Sequence, residues 1–322
     1  MPLDFPLERT HREIPDVDAS TVACRISEIL QKLSISAEYC DQTAKAKCKT
    51  EDFVSFRIRL YSGGEGGQPV VVEVQRRTGP VQSFMHTCRS ILAAAEGQES
   101  KPKKGPKAMP SISSMKCLQG VVPKLDPEAE CAKALTTIVE LLHDKRIDTN
   151  VLGMENLCNL TDPMKTPLNT AELAAKAVVI GDEKFCLREE IYACLQRSSD
   201  HAMDAEEKGV DYGERLRTLS LKAFALSLNL TAQLNCLEGP VKDQSWFQDI
   251  LLPMLLTEVE NVNDSPTRAT IAICCLNCLI STSMKSTVLS IRESIRNAEE
   301  IGNQRHELLA TEAGRCLATL DS

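Results

Sequence analysis

Two runs of this 322-residue chain place a cation at every second position. In "AKAKCK" Lys45, Lys47 and Lys49 alternate with Ala44, Ala46 and Cys48, and in "FVSFRIRLY" Arg57 and Arg59 alternate with Phe56, Ile58 and Leu60. A period of two is the period of a strand, so each run puts its apolar residues on one face and its cations on the other. Arg76 and Arg77 follow the alternating "VVVEV" and add two charges at the edge. Each Lys or Arg near an anionic bilayer contributes about 1 kcal/mol, so the seven are expected to form a weak, reversible site for anionic phospholipid. Glu51, Asp52 and Glu73 interleave with them, which also suits an ordinary solvated sheet face. Nucleic acid is not expected as a partner, because the patch lacks interleaved aromatics for stacking bases.

Other residues with chemical potential point to packing. Cys274, Cys275 and Cys278 stand in the apolar run "TIAICCLNCLI" without a second ligand pair or a nearby histidine, so they are expected in a core, not around zinc. The histidines at 11, 86, 143, 201 and 306 lie far apart, and His86 reads as a surface residue. "GGEGG" at 63–67 joins two strand patterns, which makes it a hairpin tip instead of a phosphate loop leading into a helix. No catalytic residue, metal or cofactor is assigned.

The elements that must carry the cations can be read from the same periodicities. Asp16, Asp18 and Ser20 offer helix caps, and Val22, Ile26, Ile29, Leu30 and Leu33 then recur at helical spacing, predicting a helix over about 20–33. "SISAEYC", "AKAKCK", "FVSFRIRLY" and "VVVEV" follow as strands. After Arg77, Thr78 can cap and Pro80 can enter the first turn of a closing helix with Phe84, Cys88, Ile91, Leu92 and Ala95 on its apolar side. The fold class expected for residues 1–96 is therefore α+β: helix, three or four antiparallel strands, helix, with both helices on one sheet face.

The stretch "KAKCKTEDFVSFRIRLY", followed by an apolar strand, a basic pair, a Gly-Pro turn and a helix with Ile-Leu positions, resembles the kinase-associated-1 domain found at the C-terminus of several protein kinases. The resemblance covers about residues 19–96. It implies basic residues that bind anionic phospholipids, or a domain that docks against a kinase. The order of parts along the whole chain is also similar to that of diatom proteins of the same layout.

Residues 97–116, "GQESKPKKGPKAMPSISSMK", are rich in Lys, Pro, Gly and Ser without periodicity and read as a disordered basic linker. Charge changes across it: residues 1–124 hold 18 Lys and Arg against 14 Asp and Glu, and residues 125–322 hold 19 against 31. From Asp126 on, helical stripes follow one another, among them Leu135, Ile138, Val139 and Leu142, then Leu187, Ile191, Cys194 and Leu195, then Leu219, Ala223, Leu226 and Leu230. "MENLCNLTDP", "KAFALSLNLTAQL", "AICCLNCLIST" and "EAGRCLATL" resemble one another, and Leu230, Leu279 and Leu320 fall 49 and 41 residues apart. These intervals are near the roughly 40 to 47 residues of armadillo and HEAT repeats, so residues 117–322 are expected to form an all-α armadillo-like solenoid or, failing that, a helical bundle. The interval from Leu160 to Leu230 is longer, with the polar insertion "SSDHAMDAEEKGVDYGE" inside it.

The function expected from these parts is that of a non-catalytic adaptor or scaffold. A protein partner would lie on the helical-repeat surface, and the basic domain would contact an anionic membrane. The alternatives are a regulatory subunit docking on a protein kinase, and an enzyme built at a cleft. No apolar run reaches the roughly 20 residues of a membrane span and the first residues are polar, so a cytoplasmic location is expected, peripheral at membranes.

Overall fold

The computed structural model describes residues 10–61, 69–98, 126–196, 211–237, 245–280 and 291–321. The expected hairpin tip at 63–67, the linker from residue 99 on and most of the polar insertion lie outside the described residues. The chain divides into two compact units. One is Met1–Lys107 with Ile301–Leu308, and the other is Ala108–Glu300 with Leu309–Ser322.

The first unit is built on a five-stranded antiparallel sheet in the order β1-β5-β4-β3-β2. Its strands are β1 (His11–Ile14), β2 (Ser36–Cys40), β3 (Lys45–Lys49), β4 (Ser55–Tyr61) and β5 (Val70–Thr78), and its helices are α1 (Ala19–Lys32) and α2 (Val81–Ala95). The edge strand β1 precedes the first helix and pairs with β5, an element that the sequence pattern did not reveal. Only Ile14 of its four residues is buried, so "HREI" carries no alternation to recognise.

Alternation decides the sheet's two faces. Ala46, Cys48, Phe56, Ile58, Val70, Val72 and Val74 form one core with Val22, Ile26, Ile29 and Leu30 of α1 and Phe84, Cys88, Ile91 and Leu92 of α2. Burying a Val, Ile or Phe side chain contributes about 1.5 to 3 kcal/mol, so this face is what holds the unit together. Leu33, expected in the apolar stripe, caps the end of α1 and is exposed. Ala44, expected to face inward, precedes β3, is exposed and has φ +43°.

Asp18 is the cap chosen among the three offered. It accepts from the Thr21 amide at 2.9 Å and from the hydroxyls of Ser20 and Thr21, and these bonds hold its carboxyl well below the usual carboxylate range. Thr78 does not cap α2: Pro80 occupies the N-cap position without a side-chain bond, after Gly79 at φ +95°. Residues 301–308 complete this unit, with the Ser34 hydroxyl oxygen accepting from the Leu308 amide at 2.8 Å and Gln31 donating to the Asn303 carbonyl.

The second unit is helical among the described residues. Its elements are α3 (Pro127–Leu142), α4 (Ile147–Leu160), α5 (Leu168–Val179), α6 (Leu187–Gln196), α7 (Tyr212–Gln233), α8 (Leu252–Glu260, entered through a π-turn over Phe247–Leu251), α9 (Pro266–Ile280), α10 (Arg292–Arg305) and α11 (Glu307–Asp321), the last two shared with residues 301–308 of the first unit. The 22-residue α7 packs against α4, α5, α6 and α9. It can be buried along most of its length because Thr218, Ser220, Ser227 and Thr231 return their hydroxyls to carbonyls four residues back. Trp246 stacks on Phe224 of α7 at 5.5 Å, and the Arg188 guanidinium lies 4.8 Å from its ring centre.

Candidate functional site

The sheet face turned away from α1 and α2 carries the alternating cations. Register puts Lys45 opposite Arg59 and Lys47 opposite Arg57, so the two central strands form two successive cross-strand rungs of like charge, with Lys49 opposite Ser55 in the next. Like charges directly opposite each other repel and lower sheet stability. Among the described residues, the acidic groups of this face stand on the flanking strands. Glu38 on β2 is opposite Lys47 and lies 3.5 Å from its Nζ, and Glu73 on β5 is opposite Arg59. Glu73 accepts from the Tyr61 hydroxyl at 3.1 Å, and Arg59 Nη1 donates to the Tyr61 oxygen at 3.4 Å, which together with Glu73 keeps the guanidinium charge secure.

The remaining predicted cations are placed differently. Lys49 lies over the Phe53 ring at 5.8 Å. Arg76 falls in the phase of Val72 and Val74, and its Nη1 donates to the Gly79 carbonyl at 2.7 Å, which fastens the turn into α2. Arg77 is the extra residue of a register shift, since Ser55 pairs with Thr78 while Phe56 pairs with Arg76. Of the seven predicted site residues, five share one face through strict alternation and two lie at its end. At the rim, Cys40 stands opposite Lys45; hydrogen bonding to Thr43 lowers its thiol below the usual range, and Lys45 adds to the effect.

A second constellation lies on the helical unit. Asn159, Asn229 and Asn277 occupy matching positions near the ends of α4, α7 and α9, in "CNL", "LNL" and "LNC". Three residues earlier, Asn156, Leu226 and Cys274 are all half-buried, and the pairs in between, Leu157–Cys158, Ser227–Leu228 and Cys275–Leu276, are all buried. The helix α4 packs on α7 and α7 on α9. Each of the three amides is engaged within the unit: Asn159 Oδ1 accepts from Lys165 Nζ at 2.8 Å, Asn229 Oδ1 accepts from Gln233 Nε2 at 3.0 Å, and Asn277 Nδ2 donates to the Glu312 carbonyl of α11 at 3.3 Å. The sequence reading aligned these segments on their leucines and so missed the asparagines. The Asn-Leu and Asn-Cys dipeptides were the available signal.

A buried ionic network joins α7, α8 and α9. Glu258 of α8 receives Arg217 of α7 at 2.5 Å and Arg268 of α9 at 2.7 Å, and Arg268 also meets Glu214. Glu258 is 1% exposed, so its two arginines replace the hydration it has lost. Burial pushes the Cys278 thiol up to about 12 and raises Cys274 and Cys275. Among the described residues, no group of three or more His, Cys, Asp or Glu could hold a metal ion, and no helix is long and apolar enough to cross a membrane. Comparison of the chain with protein-family models, curated proteins and solved structures finds no match.

Proposed function

We propose that this chain is a non-catalytic adaptor that brings a protein partner to an anionic membrane surface. The observation that carries the reading is the block of Lys45, Lys47, Lys49, Arg57 and Arg59 on the open face of the sheet, with Glu38 and Glu73 on its flanks. At about 1 kcal/mol per cation, less the opposition of Glu38 and Glu73, this face supports weak and reversible recruitment. The arrangement suits the resemblance to kinase-associated-1 domains, here as a membrane contact. For the helical unit we adopt the armadillo-like reading, supported by the side-by-side packing of α4, α7 and α9 and their matching asparagines. Helices packed side by side in this way build a surface from successive elements, which suits an extended partner segment.

Vesicle co-sedimentation of the full chain tests the membrane half. Binding is expected to vesicles containing phosphatidylserine, to weaken as salt rises, and to be absent on neutral vesicles. The double variant Lys47→Glu, Arg57→Glu changes the face by four charges without touching the core, and it should not sediment. A double variant that binds like the wild type removes the membrane reading. Photo-crosslinking of the full chain in lysate tests the other half: cross-links should gather on residues 152–160, 222–233 and 274–278, and an even spread over the helical surface counts against it.

A further inference from the structure

The two central rungs define a ligand more closely than a general attraction to negative charge. Lys45, Arg59, Lys47 and Arg57 stand at the corners of a rectangle set by the sheet itself. Its short side is the distance between directly opposite residues, about 5 Å at Cβ. Its long side is two residues along a strand, about 7 Å. Four cations at that spacing can all turn toward one small anion between them, and two of them are guanidinium forks whose planar N–H pairs match phosphate oxygens. The geometry points to a single phosphomonoester headgroup of a membrane lipid as the preferred occupant, a deepening that rests on the membrane reading above.

Charge decides between the two kinds of lipid phosphate. A phosphodiester such as that of phosphatidylserine offers one negative charge at the phosphorus and two non-bridging oxygens. A phosphomonoester offers between one and a half and two negative charges at pH 7 and three acceptor oxygens. Only the latter has oxygens enough to engage both rungs at once, and it relieves the repulsion within each rung. Glu38 and Glu73 compete from the flanks. However, Glu38 is held only by an exposed pair with Lys47, and Glu73 is engaged by the Tyr61 hydroxyl. Gln75, exposed and directly opposite Arg57, adds a neutral amide donor at the same rung.

The test uses the full chain and three kinds of vesicle: neutral phosphatidylcholine, phosphatidylcholine with phosphatidylserine, and phosphatidylcholine with phosphatidic acid, the last two matched in surface charge by electrophoretic mobility. Phosphatidic acid vesicles should bind about tenfold more tightly than phosphatidylserine vesicles, the worth of one further charge-assisted hydrogen bond. Two double variants that remove the same charge then separate geometry from charge count. Lys47→Gln, Arg57→Gln deletes a rung and should abolish the preference, while Arg76→Gln, Arg77→Gln should weaken binding to both lipids and leave the preference intact. Thermal melts check that both variants fold, and loss of a repelling rung should not lower the melting temperature. Equal binding to both lipids at matched charge overturns this inference and leaves the membrane reading standing, as does a preference lost equally in the two variants. Binding to no anionic vesicle overturns both.

Discussion

Gly79 shows how one residue positions the basic end of the sheet. It has φ +95°, and a Cβ added there would lie 2.7 Å from the Val54 Cα and 2.8 Å from the Phe53 carbonyl oxygen, both backbone atoms that cannot swing aside. The Gly79 carbonyl is also the anchor of the Arg76 guanidinium. Gly79→Ala should therefore cost about 1 to 3 kcal/mol from backbone strain, with the clash against the segment that leads into β4 added to it. Urea denaturation of the full chain checks this, and an unchanged midpoint would mean that the turn has another route into α2. The sequence placed a Gly-Pro turn here, because both residue types punctuate structure locally. That the turn packs against Val54 depends on a segment 25 residues earlier in the chain.

Among the elements, α7 and α9 show which part of a helical stripe is core. Periodicity grouped Leu226 with Leu219, Ala223 and Leu230, but Leu226 is half-buried, whereas Leu276 of α9 is fully buried. Leu276→Ala should cost about 2 to 5 kcal/mol through the cavity it leaves. Leu226→Ala should cost well under that, about 1 kcal/mol, because water and neighbours can fill the space. Chemical denaturation of the two variants distinguishes them, and equal losses would mean that Leu226 belongs to the core. A stripe on a long helix is wide, and its margin is core or surface according to which helix lies alongside. Residue spacing alone does not contain that information. The network around Glu258 has the same origin: Glu214, Arg217, Glu258 and Arg268 come from α7, α8 and α9, and no local pattern links them.

At the scale of the whole molecule, His306 sets an acid limit. It is 2% exposed in the unit that includes residues 301–308, and burial, helped slightly by the Arg305 cation, holds its imidazole down to about 4 against a partial opposing pull from Glu51. An unfolded chain takes up this proton near pH 6.5 and the folded one only near pH 4, so stability is whole above pH 6.5 and falls as pH drops from 6.5 toward 4. Between pH 6.5 and 5 the loss attributable to this residue should reach about 2 kcal/mol. His306→Gln should flatten the dependence in that window, measured as denaturation midpoints at pH 7.5 and pH 5, and an equally steep variant would assign the loss elsewhere. The Asp18 carboxyl, depressed by its hydroxyl and amide donors, likewise must stay deprotonated and loses its contribution only at still lower pH.

The strands β2 to β5, both flanking helices, the five cations of the open face and the helical character after Asp126 were all determined by the sequence itself. Each follows from a period of two or of about 3.6, and such a period is expressed within ten or so neighbouring residues by backbone geometry alone. The tertiary structure decided the rest. It paired β1 with β5, brought residues 301–308 into the first unit, moved Arg76 off the cationic face, and laid α7 against α4, α5, α6 and α9. Those outcomes depend on contacts between segments separated by tens to hundreds of residues, where register and helix packing, and not local spacing, determine which side chains meet.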